Sequence, residues 1–399
     1  MRVATAAIPL AVALAVAASA GAEERKPKPP PPPVTVKIKD TLDIWRNVRG
    51  GVAVGYTSLN KLQISATADG DAFGLPGFTA HAHVFTTNGE SLSGSRTGDI
   101  QTASNIEALS VTRLFEAWAE QTFGQEGAGG VAVRAGLMDL NETFDSIGTA
   151  GIFINSSHGI APDLSRSGPN GPSIFPVTAA GLQFGWTPSA ALSVHAAVFD
   201  GVPGDPDHPR AFAAVHLSRR DGALLIAQAD YRFATDSQAS IGVWSYTAAS
   251  NTYADPRRRL TAHPGVYAFA EGPVPLPGQP RAWVRAGIAD DRVQAVSGYL
   301  GGGVVWTGLL TGRGQDQFGI AVAHAVIGAE ARRRLDLPRA ETTWEVTYSY
   351  RLNDTIHLQP DVQYIVHPAL APHLPDALAV GLRVVADLKL PSWSPDDDN

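Results

Sequence analysis

The sequence predicts an all-β fold, a transmembrane antiparallel β-barrel of about 16 strands with long external loops and short periplasmic turns. Three observations predict it. Segments in which apolar and polar residues alternate recur along most of the 399 residues, as expected of strands whose two faces differ. The connections between these segments are alternately short and long, which is typical of outer-membrane barrels. The first residues are typical of a secretory signal.

The alternating segments can be counted as about sixteen strands, an even number as bacterial barrels require. A seventeenth segment, 211–218, would break the parity, so we assign it to a loop. The predicted strands are 50–57, 61–69, 78–87, 113–122, 130–139, 177–187, 191–200, 222–233, 239–248, 264–272, 281–290, 297–310, 315–327, 342–352, 356–366 and 377–388.

The lengths of the predicted connections support this count. From the second strand onward every other connection is short, for example 123–129 and 353–355. Most of the others are longer, and the longest is 140–176. The connections 58–60 and 291–296 are short where long ones are expected. The alternation places the N-terminus and the C-terminus of the barrel on the periplasmic side.

Four segments divide the chain. Residues 1–22 contain an early positive charge, an apolar run and small residues at its end, which predicts a cleaved signal peptide. Residues 23–48, which include a proline run, are expected to form an extended periplasmic tail, either a plain linker or a contact to the cell wall. We expect the outer-membrane barrel at 49–388 and an acidic tail at 389–399. No later stretch has the roughly 18 apolar residues of a membrane helix.

The composition argues against several classes of function. Charged residues make up 17% of the chain and Cys is absent, which favours strands and excludes a thiolate metal site. A net charge of -7 argues against a nucleic-acid partner. No catalytic or phosphate-binding motif occurs, so we expect neither an enzyme nor a cofactor. His81 and His83 share a strand face and could bind a metal weakly, but a structural role in the wall is the favoured interpretation and no metal site is predicted.

One hairpin shows the two faces of the predicted wall most clearly. Glu116, Trp118 and Glu120 share one face of its first strand, and Phe115 is expected on the other. Arg134 lies on the polar face of the second strand, where it can reach a carboxylate. An Arg facing lipid would cost about 2–4 kcal/mol, so the charges belong in the lumen. A soluble sandwich has the same alternation, but the loop parity and the signal segment favour a barrel.

Several motifs follow one another in a fixed order along the chain. They are Asp139-Leu-Asn141, Gly151-Ile-Phe-Ile-Asn-Ser-Ser-His-Gly159, Ile160-Ala-Pro-Asp163, Gly171-Pro-Ser-Ile-Phe-Pro176, Ala197-Val-Phe-Asp-Gly201, Arg219-Arg-Asp-Gly222 and Leu358-Gln-Pro-Asp-Val-Gln-Tyr-Ile-Val-His-Pro368. In these residues the chain resembles the OprB-type carbohydrate-selective porins. The resemblance implies an outer-membrane channel of Gram-negative bacteria for passive diffusion of monosaccharides and small sugars through a constricted polar lumen.

The hairpin and the long loop after it contain the candidate sugar-binding residues. Sugars offer hydroxyls that donate and accept hydrogen bonds together with apolar ring faces, so carboxylates, Arg and an aromatic ring suit them. A salt ladder that only stiffens the wall is the alternative. The loop 140–176 is expected to narrow the lumen, with an outer lid as the alternative. The predicted substrate-binding residues are Arg113, Glu116, Trp118, Glu120, Arg134, Asp139, Asn141 and Asp163.

Two other functions stay open at this point. A less selective porin for small solutes is one, although the mixed charges of the predicted lumen argue against a strong preference for anions. An outer-membrane barrel enzyme is the other and is disfavoured, since it needs a Ser or Asp with a positioned His. We expect small sugars and outer-membrane lipid as partners, and the sequence leaves a homo-oligomer open.

Overall fold

A computed structural model shows the chain as a closed barrel of antiparallel strands. The structure describes residues 33–125, 127–213 and 215–389. The predicted signal peptide lies outside the described residues, as do most of the proline run and the acidic tail after 389. The predicted fold class is confirmed.

Each barrel strand pairs antiparallel with the next, and the last pairs with the first. The two strands β10 (Ser250–Asn251) and β11 (Arg259–Leu260) form a separate small hairpin within one loop. The barrel strands are β1 (Val34–Arg49), β2 (Gly55–Asp69), β3 (Phe78–Gly89), β4 (Val111–Phe123), β5 (Gly130–Met138), β6 (Ala179–Ser189), β7 (Leu192–Asp200), β8 (Ala223–Ala234), β9 (Ser237–Tyr246), β12 (His263–Pro273), β13 (Arg281–Ala289), β14 (Val296–Thr307), β15 (Gln317–Ile327), β16 (Ala340–Arg351), β17 (Ile356–Val366) and β18 (Ala377–Lys389).

The connections alternate in length around the barrel, as predicted. One end has short turns such as 190–191 and 235–236, and the other has the loops 90–110, 139–178 and 201–222. Strand β1 begins and β18 finishes at the end with the short turns. In outer-membrane barrels that end is periplasmic, and the long loops are external.

The two faces of the wall separate as the alternation predicts. In β16 the side chains of Glu341, Thr343 and Glu345 are buried inside, whereas Trp344 and Val346 are 51% and 41% exposed outside. The wall thus presents apolar side chains to lipid and keeps charges in the lumen, which avoids the cost of placing a charge in hydrocarbon. Other exposed apolar residues on the wall are Leu225, Val243, Val284, Ile288, Ile320, Val362, Val380 and Leu382.

The start of the barrel differs from the prediction. Residues of the predicted tail 23–48 form most of β1, so the predicted barrel boundary at 49–388 begins too late. Strand β1 pairs with β2 on one side and with β18 on the other, and it thereby closes the barrel. A closed barrel has no free edge, so this pairing accounts for the backbone hydrogen bonds of both terminal strands.

The first predicted strand, 50–57, and the predicted connection 58–60 are wrong, whereas the second predicted strand, 61–69, lies within β2. The segment 50–57 consists of a tight turn and the start of β2, which continues without a break through 58–60 to Asp69. In β1 the charged residues Lys39 and Asp43 belong to the lumen face. Next to the proline run their polarity made the segment resemble a solvated tail, although its apolar residues do alternate.

Short helices occur in the long loops. The loop 139–178 contains α1 (Pro162–Ser165), and the connection 328–339 contains α2 (Ala329–Leu335). Among the described residues no helix is both long enough and apolar enough to span a membrane. Residues 211–213 and 215–218 belong to no strand, in agreement with their assignment to a loop.

Candidate functional site

Two loops from the external end fold back into the barrel. We call residues 90–110 the first inner loop and residues 139–178 the second inner loop. Leu92 and Phe144 are fully buried, and Phe153 packs in one cluster with the inward-facing Trp283 of the wall. The second inner loop therefore occupies the lumen and is not an outer lid. No pattern in the sequence predicts the insertion of the first.

A carboxylate of the wall holds the first inner loop. Glu341 on β16 is fully buried and accepts backbone hydrogen bonds from Ile100 at 2.9 Å and Gln101 at 3.0 Å. It also accepts one from Ala369 at 2.7 Å in the loop between β17 and β18. The carboxyl group of Glu341 accepts hydrogen bonds from backbone amides that would otherwise be buried without a partner. The loop therefore has a defined position.

The second inner loop is held in the same way at two depths. Glu345 accepts hydrogen bonds from the amides of Ile154 and Asn155. Glu271, near the periplasmic end of β12, accepts one from Thr149 at 2.7 Å. The loop therefore reaches from the external end almost to the periplasmic end of the barrel.

An ion pair adds a third attachment of this loop. The guanidinium of Arg285 on β13 donates to Asp145 through Nε at 3.1 Å and Nη2 at 2.9 Å, and it also donates to Asp163. All three side chains are buried. Burial raises the pKa of Asp145 to about 6, and Arg285 opposes that rise. Asp163, which we predicted to contact substrate, instead fixes the loop to the wall in this structure.

A polar cavity of about 980 Å³ remains between the inner loops and the wall. Its lining contains five basic side chains and three acidic ones, so the mixture carries a small positive excess. The basic ones are Lys39, Lys61, Arg166, Arg281 and Arg383, and the acidic ones are Glu107, Asp139 and Glu271.

Lys61 is placed in this lining by aromatic rings. Its ammonium lies 3.8 Å from the centre of the Phe175 ring, 5.4 Å from that of Phe85 and 5.9 Å from that of Phe115. The rings favour a cation over their faces and keep the side chain from turning away from the cavity. Arg383, on the neighbouring part of the wall, is held by two hydrogen bonds to Asp43 at 2.7 and 2.8 Å.

The predicted hairpin ladder exists, but beside this cavity. Arg134 donates to Glu120 at 2.8 Å and lies 3.8 Å from the centre of the Trp118 ring. The ring of His81 stacks on Trp118 at 5.0 Å. Two neighbours therefore already cover the indole. Glu120 and Arg134 face a smaller space of about 230 Å³, lined by residues of β4, β5, β6 and β7 and by Thr143 of the second inner loop.

A β-bulge changes the faces of β4 from those predicted. The register shifts between His83 and Val84, so Phe115 and Glu116 both turn inward. The expectation that Phe115 faces lipid is wrong, because a bulge inserts one extra residue and breaks the two-residue alternation. Arg113 is also inward, but it donates to the carbonyls of Pro176 and Pro209 and stays apart from the hairpin carboxylates.

Two of the predicted site residues line the large cavity. Asp139 accepts a hydrogen bond from the amide of Asn141 at 2.9 Å. The side-chain amide of Asn141 donates to the carbonyls of Phe144, Asp145 and Gly159, each at 3.1 Å. Burial, and then the nearby charge of Glu116, raise the pKa of Asp139 to about 8. Asn141 thus shapes the start of the second inner loop, while Asp139 carries a titratable charge.

The sequence analysis missed most of the basic side of the cavity. Lys39 lies on the strand that was assigned to the tail, and neither Lys61 nor Arg383 is among the predicted site residues. Nothing in one strand indicates which lumen residues will face an open space and which will be covered by a loop. Their common signal was a charge at an inward position close to the strand centre.

Comparisons with known proteins agree with this architecture. A family model described as carbohydrate-selective porin, OprB family, matches residues 54–388. The comparison with curated proteins gave no match.

Solved structures show the same fold. Pseudomonas putida OprB, in a high-pH structure, is similar with a TM-score of 0.78 at 16% identity, over 89% of this chain and 94% of that one. The outer membrane channel DcaP of Acinetobacter baumannii has a TM-score of 0.56 at 10% identity, over 89% and 97%. A triple mutant of the Rhodopseudomonas blastica porin has a TM-score of 0.51 at 11% identity, over 89% and 100%.

Proposed function

The chain belongs to the carbohydrate-selective porin OprB family, and from that membership we propose that monosaccharides and small sugars are selected in the cavity between the inner loops and the wall. The protein is an outer-membrane channel for carbohydrates and not an enzyme.

The chemistry of the lining supports this assignment. Gln63 offers an amide that both donates and accepts hydrogen bonds, and sugar hydroxyls do the same. Gln101 and Gln359 also line the cavity, but their side-chain nitrogens already donate within the protein. Lys39 and Arg383 add donors, and Asp139 adds an acceptor. The volume of about 980 Å³ lies at the upper end of the roughly 300–1,000 Å³ of small-molecule sites. A sugar in it is therefore not tightly enclosed and can leave along the channel.

The main support for selection in this cavity is that buried carboxylates hold both inner loops in place. Glu341, Glu345 and Glu271 each accept backbone amide bonds from a loop, so the loop side of the cavity is fixed before a sugar arrives. Preorganised polar groups lose little entropy on binding and can therefore discriminate between solutes of equal size.

The ladder of the hairpin is proposed to support the wall and not to select the sugar. Glu116, Trp118, Glu120 and Arg134 contact one another, and the indole is covered by neighbours. Arg134 also donates to Glu142, and Glu116 accepts from the amide of Asp139, both in the second inner loop. We assign them to the wall beside the pathway and keep Asp139 as the predicted residue that meets the sugar. Among the lining residues the aromatic side chain is that of Phe175.

Liposome swelling tests the proposal. The parent protein should admit glucose faster than an amino acid of similar size. Gln63→Ala should reduce that ratio, whereas Trp118→Ala should keep it, because only the first removes a lining amide. A parent that admits both solutes equally would favour the less selective porin. A loss of the ratio in Trp118→Ala, with Gln63→Ala unchanged, would move the selective step to the ladder.

A further inference from the structure

Three side chains of the lumen wall converge on one point outside the large cavity. His81 and His83 point inward from β3, and Glu116 lies directly opposite His83 on β4. Nδ1 of His83 lies 3.3 Å from Oε2 of Glu116, and Nε2 of His81 lies 3.9 Å from the same oxygen. Two imidazole nitrogens and a carboxylate oxygen, all within 4.8 Å of one another, form a set of ligand atoms.

The surroundings orient each of these atoms. Nδ1 of His81 is 2.8 Å from the hydroxyl of Thr67, which directs Nε2 of that ring toward Glu116. Oε1 of Glu116 accepts hydrogen bonds from the amide of Asp139 at 3.1 Å and from the indole of Trp118 at 3.3 Å. Oε2 is therefore the oxygen turned toward the histidines. Hydrogen bonds behind the ligands in this manner are typical of metal sites in proteins.

We propose that His81, His83 and Glu116 form a binding site for one divalent transition-metal ion of the Zn²⁺ class. Ligand atoms at about 2.0–2.1 Å from a tetrahedral zinc lie about 3.3 Å apart. The two nitrogen–oxygen separations of 3.3 and 3.9 Å are close to that spacing, and the two imidazole nitrogens lie within 4.8 Å of each other. Imidazole suits Zn²⁺, Ni²⁺ and Cu²⁺, whereas Ca²⁺ and Mg²⁺ prefer all-oxygen sites.

The charges around the site are compatible with a bound cation. Glu116 contributes one negative charge, and its Oε1 accepts a hydrogen bond from the backbone amide of Asp139. Arg134 is the cation of the adjacent ladder. It lies on β5, and its guanidinium contacts the ring of Trp118 on β4, the strand between β5 and the histidines. Both histidines retain some exposure, 14% of each side chain, so an ion can enter and a water can complete the coordination.

Calorimetric titration of the folded, tag-free barrel in detergent, first treated with a chelator, tests the site. The parent should bind one equivalent of Zn²⁺. His81→Ala and His83→Ala should each weaken binding by at least about tenfold, since even the loss of a residue behind the ligands costs 10–100-fold in metal sites. Cu²⁺ bound to the parent should show coupling to two imidazole nitrogens by electron paramagnetic resonance.

His195→Ala is the matched control, because His195 also faces the lumen beside a carboxylate, 3.7 Å from Asp230, but belongs to no set of three ligand residues in the described part of the chain. It should bind Zn²⁺ like the parent. Glu116→Gln tests the carboxylate with little change of shape and should weaken binding as well. The proposal is overturned if the parent binds no Zn²⁺ at millimolar concentration. It is also overturned if His81→Ala and His83→Ala, with the heat-dependent gel shift of a folded barrel, bind like the parent.

Discussion

Arg285 and Asp145 join the wall to the second inner loop through two hydrogen bonds of 3.1 and 2.9 Å, both fully buried. Arg285→Met should leave Asp145 and Asp163 without their cation, and removal of one partner of a buried pair costs about 3–5 kcal/mol. We expect the loop to detach, single-channel current to become noisier, and the loop to become sensitive to protease in the folded barrel.

The triple variant Arg285→Met, Asp145→Asn and Asp163→Asn is the control for that prediction. It removes all three charges together, and replacement of a whole buried ion cluster is often close to neutral. The triple variant should therefore recover part of the parent behaviour. Asp354→Asn, which alters an ion pair whose carboxylate is 98% exposed, should have no effect on the current. Quiet current in Arg285→Met would contradict a role of the pair in holding the loop.

The deepest attachment of the loop predicts a change in conductance. Glu271 accepts hydrogen bonds from the amides of Gly148 at 3.1 Å and Thr149 at 2.7 Å, and these two residues line the cavity. A hydrogen bond to a charged group contributes about 1.5–3 kcal/mol, so Glu271→Ala should release this tip. We expect a higher single-channel conductance and faster entry of disaccharides. Glu90→Ala, at an exposed external ion pair, is the control, and equal conductance in both variants would argue against the attachment.

The charge of Asp139 predicts a pH dependence of ion selectivity. Burial and Glu116 raise the pKa of Asp139 to about 8, so the carboxyl is neutral below that pH and negative above it. As the pH falls from 9.5 to 6.5, the cavity should lose a negative charge and its preference for anions should increase. The reversal potential in a KCl gradient measures this. In Asp139→Asn the change of the reversal potential near pH 8 should be absent. If that change persists in the variant, another group causes it.

The barrel itself could be predicted from the sequence because its physical cause is local. Leu225 and Tyr231 face lipid and Gln228 faces the lumen, since each second residue of a strand meets the same solvent. The pattern fails where the chain departs from two-residue alternation, as at the bulge that turns Phe115 inward. It also fails in β1, whose charged lumen face follows a proline run.

The site was less predictable because its causes are not local. The buried contacts of Glu341 with Ile100 and of Arg285 with Asp145 join residues far apart in the sequence, and no pattern within one strand shows them. The charges of the hairpin were correctly placed in the lumen, but the inner loops decide which lumen residues line an open space. Trp118 illustrates the difference, because His81 and Arg134 cover a ring that the sequence presents as a free platform.

Lys61 provides the last prediction, on the contribution of the basic side of the cavity. Lys61→Met keeps an unbranched side chain against Phe175, 3.8 Å away, and removes the charge. A unit charge about 6 Å from an ion in water contributes about 0.7 kcal/mol, roughly threefold in local anion concentration. We expect the anion-to-cation permeability ratio to fall by up to about that factor, and glucose to block the ion current less strongly.

Lys37→Met is the matched control for this variant. Lys37 also lies on the barrel wall, near the periplasmic start of β1, but it does not belong to the cavity lining. It should change the permeability ratio less and leave the block by glucose unaltered. Both measurements use the same planar bilayer with a KCl gradient and added glucose. If the two variants behave alike, the basic residues act through the general field of the lumen, and the contact of Lys61 with sugar in the cavity is contradicted.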